Sequence, residues 1–203
     1  MSTAIRLLVG LGNPGAEYEH TRHNAGADCV SFIADELGVS LKAEKKFFGR
    51  LGRASLGGED LRLLIPETFY NATGRAVLAV AQFYRIPLEN IALLHDELDL
   101  PLGVAKLKLG GGHGGNNGLR DTINAFGGKN AFARLRLGVG HPGHKDRVTG
   151  YLLSRPPAGE RDVLATVFKE VRAVLPTLVA GQWERAATAL HSATRPGTLS
   201  EGK

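Results

Sequence analysis

The chain has 203 residues, 43% of them hydrophobic and 22% charged, which describes one globular domain with a sizeable core and excludes a disordered or fibrous chain. A net charge of +5 favours an anionic partner, and the apolar runs fall short of the roughly 20 residues that a membrane span needs. The single cysteine, Cys29, excludes an internal disulfide, and with no secretory leader pattern in "MSTAIRLLVGLGNPG" the expected compartment is the cytoplasm.

In chain order, "IRLLVGL" (5–11) reads as a buried strand, followed by a long polar loop. "DCVSFIADELG" then places Val30, Ile33, Ala34 and Leu37 at helical spacing, with Asp28 opening the helix and Gly38 stopping it. Two apolar stretches around Gly57-Gly58-Glu59-Asp60 predict a hairpin, so the sheet is mixed. "NATGRAVLAVAQFYRIP" predicts a helix with Val77, Val80, Ala81 and Tyr84 on one face, and "NIALLHDELDLP" a strand that runs into an acidic loop. Alternation in "GVAKLKLGGG" turns Lys106 and Lys108 the same way, and "FARLRLGVG" does the same for Arg134 and Arg136. Between them lies a glycine-rich loop carrying His113, then a short helix. Residues 159–191 are read as one amphipathic helix with a stripe of Leu164, Val167, Phe168, Val171, Leu175 and Leu178, bent at Pro176. The expected architecture is one α/β domain, a mixed twisted sheet flanked by helices over residues 1–192, with 193–203 as a disordered tail.

Gly10, Gly12 and Gly15 form G-x-G-x-x-G, yet neither a helix at the turn nor an acidic residue closing the next strand completes a dinucleotide site. Asn13, framed by glycines and proline, either presents a neutral amide to a carbonyl or ribose or simply caps a turn. His23 has the side-chain type of a general base near neutral pH, and Asp96, after a buried strand, is a carboxylate able to orient it. The rival reading makes Asp96, Glu97 and Asp99 a solvated acidic turn. His141 and His144 flank a Pro-Gly turn, and with no cysteine or helical His pair to complete a site no metal is expected. No G-x-S-x-G elbow is present for serine chemistry. Asn71, Asn116 and Asn117 are neutral amides suited to an uncharged carbonyl substrate, while Lys106, Lys108 and Arg136 suit phosphates or, as lysines on a strand edge, deter aggregation.

Four blocks together, "VGLGNPGAEYEHTRHNAG", "FYNATG", "HDELDLPLGVAKLKLGGGHGGNNGLRD" and "RLRLGVGHPG", closely resemble the bacterial peptidyl-tRNA hydrolases, enzymes that cleave the ester joining peptide to tRNA. The likeness runs from about residue 5 to 191. It implies a monomer without cofactor or metal, with His23 as the base that activates water and Asp96 orienting it. It further implies substrate contacts at Asn13, Tyr18, Tyr70, Asn71 and Asn117, a mobile gate carrying His113, and acceptor-stem phosphates on Lys106, Lys108 and Arg136. Two positions depart from the family: Tyr70 stands where Met is usual, and Asn116 where many relatives carry His, which implies retuned activity. An RNA-binding module without catalysis remains a second reading, and a nicotinamide-dependent enzyme resting on the three glycines alone a third.

Overall fold

The computed structural model describes residues 3–196. Its centre is β1 (Leu7–Gly10), a run apolar at every position because both of its faces are covered. Leu8 faces one hydrophobic cluster, while Leu7 and Val9 face the other. The chain continues through α1 (Ala25–Glu36), β2 (Lys42–Glu44), β3 (Gly49–Leu56), β4 (Glu59–Pro66), α2 (Gly74–Phe83) and β5 (Ile91–Glu97). It closes with β6 (Ala105–Leu109), α3 (Asn117–Ala125), β7 (Ala133–Gly138), α4 (Val148–Leu152), α5 (Ala158–Val179) and α6 (Trp183–Ala193). The described strands form one sheet in the order β2-β3-β4-β1-β5-β7-β6. β1 pairs parallel with β4 and β5, and β5 parallel with β7; the other three pairings are antiparallel. Helices α1, α5 and α6 cover one face, and α2 and α3 the other.

This is the expected mixed α/β domain, and several local readings hold. Gly57 and Gly58 both take positive φ in the β3-β4 turn, as a two-residue hairpin requires. Gly38, at φ +64, ends α1. Two readings need correction. Helix α1 starts at Ala25, ahead of Asp28, which lies in its first turn, where a carboxylate favours the helix dipole. The single long helix is two. Pro176 lies inside α5, which runs on to Val179, and the break comes at Gly181 (φ +77), where Gly181 N–H donates to Leu178 O and Gln182 N–H to Thr177 O in a Schellman-type stop.

Edge strand β6 carries the exposed Lys106 and Lys108, and α6 caps its open side. His191 Nε2 accepts the Leu107 N–H at 2.9 Å, and Thr194 Oγ1 accepts the Ala105 N–H at 3.0 Å. Thr194 is fully buried, so the segment expected as a tail enters the fold at its first residues; 197–203 lie outside the described residues.

Burial, and then the Lys106 ammonium, hold the His191 imidazole below its usual range, in the neutral form that can accept the Leu107 N–H. A depressed folded pKa means that the unfolded chain binds the proton more readily. The stability from this contact is therefore present above the ordinary His value of about 6.5 and is lost as pH falls below it. Urea unfolding at stepped pH should show less acid destabilisation for His191→Gln, whose amide oxygen accepts the same N–H without titrating. Superimposable pH curves would refute this origin, since buried His95, also held low chiefly by burial, is unchanged in both proteins.

Candidate active site

At the carboxyl ends of β1 and β5 the chain leaves in opposite directions, the place where α/β sheets form clefts. The approach of α1 to these ends depends on glycine. A Cβ at Gly26 would collide with Leu94 O, and one at Gly10 with Gly26 O. A Cβ at Gly12 would stand 2.9 Å from the Asn24 side chain. The glycines of the first loop thus serve close helix-to-strand packing instead of cradling a pyrophosphate. With α1 seated, Leu11 N–H donates to Leu94 O and Ala27 N–H to Leu11 O, each at 3.0 Å.

This packing places the 3-10 turn Arg22–Asn24, just ahead of α1, over the end of β5. Arg22 anchors the turn. Its guanidinium donates to Glu160 at 2.8 Å and Ser154 Oγ at 2.6 Å, and lies 4.1 Å from the Tyr151 ring centre. His23 Nδ1 then stands 3.0 Å from each carboxylate oxygen of Asp96, whose side chain is 3% exposed. An ionised carboxylate only accepts, so Nδ1 carries the proton and Nε2 presents its lone pair. Nε2 has no partner among the described residues, and the 18% exposed side chain opens into a cleft of about 600 Å³.

Asn13 is held by Asn24, a residue that the sequence reading did not single out. Asn24 Nδ2 donates to Asn13 O and Asn24 Oδ1 accepts Asn13 N–H, both at 2.9 Å. Asn13 Oδ1 accepts the Tyr70 N–H at 2.7 Å, which fixes the amide so that Nδ2 is its free donor among the described residues. Tyr70 packs its ring on His23, with centres 3.6 Å apart and planes 16° apart. Its hydroxyl donates to Asp96 Oδ1 and accepts from Asn116 Nδ2, both at 2.8 Å. Asn116 also caps α3, accepting the Leu119 N–H. Burial first, and the Asp96 charge second, push the Tyr70 phenol well above the usual tyrosine range.

Asn71 and Asn117 are exposed on the cleft wall, and His113 lines it from the glycine-rich loop. That loop is tied at Gly111, whose carbonyl accepts from Arg134, and its glycines 110, 111, 114 and 115 take positive φ. Tyr18 does not line the cleft. Across β6 and β7 Lys106 stands opposite Arg136 and Lys108 opposite Arg134, a basic ladder that meets the cleft through Arg136, which donates to Glu97, itself a lining residue, at 3.0 Å. Phe69, 60% exposed on the wall, was also missed; its signal was an aromatic directly before Tyr70-Asn71 in a turn segment. Among the described residues no cluster of His, Cys, Asp and Glu is arranged to hold a metal, and no helix is long and apolar enough to cross a membrane.

A histidine held against a buried carboxylate, beside neutral amides in an open cleft, is an arrangement suited to hydrolysis of an uncharged acyl group. The chain belongs to the peptidyl-tRNA hydrolase family, whose profile matches residues 7–197. It is 58% identical over 190 residues to the peptidyl-tRNA hydrolase of Pseudomonas syringae pv. tomato, covering 94% of this chain and 98% of that one. The Pseudomonas aeruginosa protein of the same name is 55% identical with the same coverage. The crystal structure of peptidyl-tRNA hydrolase from Acinetobacter baumannii superimposes with a TM-score of 0.89 at 45% identity, covering 95% of this chain and 96% of that one.

Asp96→Asn keeps the shape of the site but places an amide against His23 Nδ1, where the donating face of the side chain favours the wrong tautomer. Steady-state hydrolysis of a peptidyl-tRNA should fall by about 10² to 10⁴-fold with the fold intact by circular dichroism. Near-wild-type turnover would remove Asp96 from the mechanism.

Proposed function

We propose that His23 is the general base with which this member of the peptidyl-tRNA hydrolase family cleaves the ester between peptide and tRNA. The observation that carries the reading is the contact of His23 Nδ1 with both Asp96 oxygens, which leaves Nε2 as the base facing the cleft. Nε2 takes a proton from water as the water oxygen attacks the ester carbonyl carbon. Negative charge then grows on the carbonyl oxygen, for which the proposed donors are the free Nδ2 of Asn13 and the amides of Asn71 and Asn117 on the cleft wall. Collapse of the intermediate breaks the bond to the tRNA ribose oxygen, which takes the proton back from His23. The products are tRNA with a free hydroxyl and a peptide carboxylic acid, which releases the remaining water proton to solvent as it ionises. Asp96 stabilises the imidazolium that forms between the two proton transfers.

Lys106, Lys108 and Arg136 are the proposed contacts for acceptor-stem phosphates, and the glycine-rich loop with His113 is the proposed gate. The basic ladder beside the cleft supports this division, because it lets the tRNA be gripped by its backbone while the ester reaches His23. Neutral amides around the base suit a main chain common to all peptides and read no side chain. We also propose that the enzyme works as a monomer in the cytoplasm, in keeping with the nucleic-acid substrate.

Release of free tRNA from an N-acetylated aminoacyl-tRNA, in the presence of EDTA, tests the chemistry. Wild type should turn over, and folded His23→Ala should be slower by about 10²-fold or more while still binding tRNA. Wild type that binds tRNA but leaves the ester intact would establish the RNA-binding reading instead. For the phosphate contacts, Lys108→Ala should weaken tRNA binding and reduce the slope of log affinity against log salt by about 0.7 to 1. An unchanged slope would place the RNA elsewhere.

A further inference from the structure

We infer that Tyr70 is a positioning residue of this reaction and that Asn116 sets the direction of its hydroxyl proton, an inference that rests on the proposed role of His23 and Asp96. The sequence expectation made Tyr70 a substrate contact. The structure gives it different work: the residue is 3% exposed, and its hydroxyl is engaged on both sides.

The polarity of the network follows from which atoms can donate. Leu119 N–H can only donate, so the Asn116 atom that it meets is the oxygen, Oδ1. The amide is thereby oriented, and Nδ2 must donate to the Tyr70 oxygen. With that lone pair taken, the Tyr70 proton points to Asp96 Oδ1 at 2.8 Å. The phenol stays protonated across the working range because burial and the Asp96 charge push its pKa up. Asp96 Oδ1 therefore receives two donors, Tyr70 O–H and His23 Nδ1–H, and neither the carboxylate nor the imidazole can turn without breaking one.

The ring adds a second restraint. It lies flat on His23, and its far side is closed by α3, where a Cβ at Gly118 would stand 2.8 Å from Tyr70 Cε1. A flat contact at 3.6 Å blocks rotation of the imidazole and sets the electron-rich face of the phenol against the imidazolium that forms during the reaction. The hydroxyl acts the other way on basicity, since a donor on Asp96 withdraws charge from the group that supports the imidazolium. The remaining ionisable groups around the cleft are Glu97, tied to Arg136, together with Asp99 and His113. Arg22 is turned to Glu160, and the His95 ring donates to Asp96 O instead of to its carboxylate.

The test is the pH profile of kcat/KM for hydrolysis of N-acetyl-aminoacyl-tRNA by wild type, Tyr70→Phe, Asn116→Ser and the double variant, with thermal unfolding run alongside. Phe keeps the stack on His23, and Ser keeps an oxygen for the α3 cap but is too short to carry a donor to the place of Nδ2 beside Tyr70. Tyr70→Phe should lower kcat with little change in KM and move the acid limb of the profile upward, because Asp96 loses a donor that draws on its charge. Asn116→Ser should move it in the same direction, and should add nothing in the Phe background, since it acts through the hydroxyl. A profile for folded Tyr70→Phe that overlays wild type overturns the inference, as does an effect confined to KM, which would return Tyr70 to substrate contact. Additive shifts from the two substitutions would overturn the part given to Asn116. Failure of the catalytic reading itself is distinguishable, because folded His23→Ala would then turn over at the wild-type rate.

Discussion

The fit of backbone against backbone at Gly26 governs the rest of the site. The amino end of α1 rests on the end of β5 because no Cβ stands between Gly26 and Leu94 O, and on the end of β1 because none stands at Gly10. His23 lies three positions before Gly26, and Asp96 two after Leu94, so one close contact turns a separation of 73 residues into a hydrogen bond. The same seating lets Leu11 O accept a helix N–H and Leu11 N–H donate to the end of β5, so the approach is itself hydrogen-bonded. A larger residue at either glycine would push the helix away and pull His23 from Asp96.

Around that contact the polar groups are satisfied in one direction only. Asn24 holds the main chain of Asn13, Asn13 accepts from the main chain of Tyr70, and Tyr70 and His23 donate to Asp96. Asn13 has one end of its amide committed to the protein, which fixes the direction of the other, while Asn24 and Asn116 are engaged at both ends. The cations are kept outside this network. Lys106 and Lys108 lie on the edge strand, and Arg136 reaches the cleft only through Glu97. Separating the neutral, oriented groups from the charged surface allows the two to be altered independently, which the proposed division between ester and polyanion requires.

Much of the architecture was legible in the sequence because its signals are local. Alternation across β6 and β7, the glycine pair of the β3-β4 hairpin and the apolar run of β5 each reflect burial of one short segment. The long C-terminal helix was misread for a related reason: helix-forming sequence stands on both sides of residues 180–182, and periodicity cannot see that Gly181 adopts a left-handed conformation. Thr194 was assigned to a tail because it is small and polar, yet its hydroxyl completes an edge strand 89 positions away. His23, Asp96, Asn13, Asn71 and Asn117 were legible through their motifs. Tyr18 belongs to the same motif but stays off the cleft wall.

By itself, the sequence determined the class of fold and the strand with its paired lysines, and it put forward His23, Asp96 and the neutral amides as candidates for the site, because residue type and short-range spacing carry that information. Only the tertiary structure decided what Tyr70 and Asn116 do. The motif view treats them as substitutions at a substrate wall, whereas in space the phenol fills the gap between His23, Asp96 and the cap of α3. That role depends on hydrogen-bond direction and ring contact among four segments distant in the chain, and on the absence of a Cβ at Gly118. Interactions of this kind have no sequence period, since they exist only where separate elements meet.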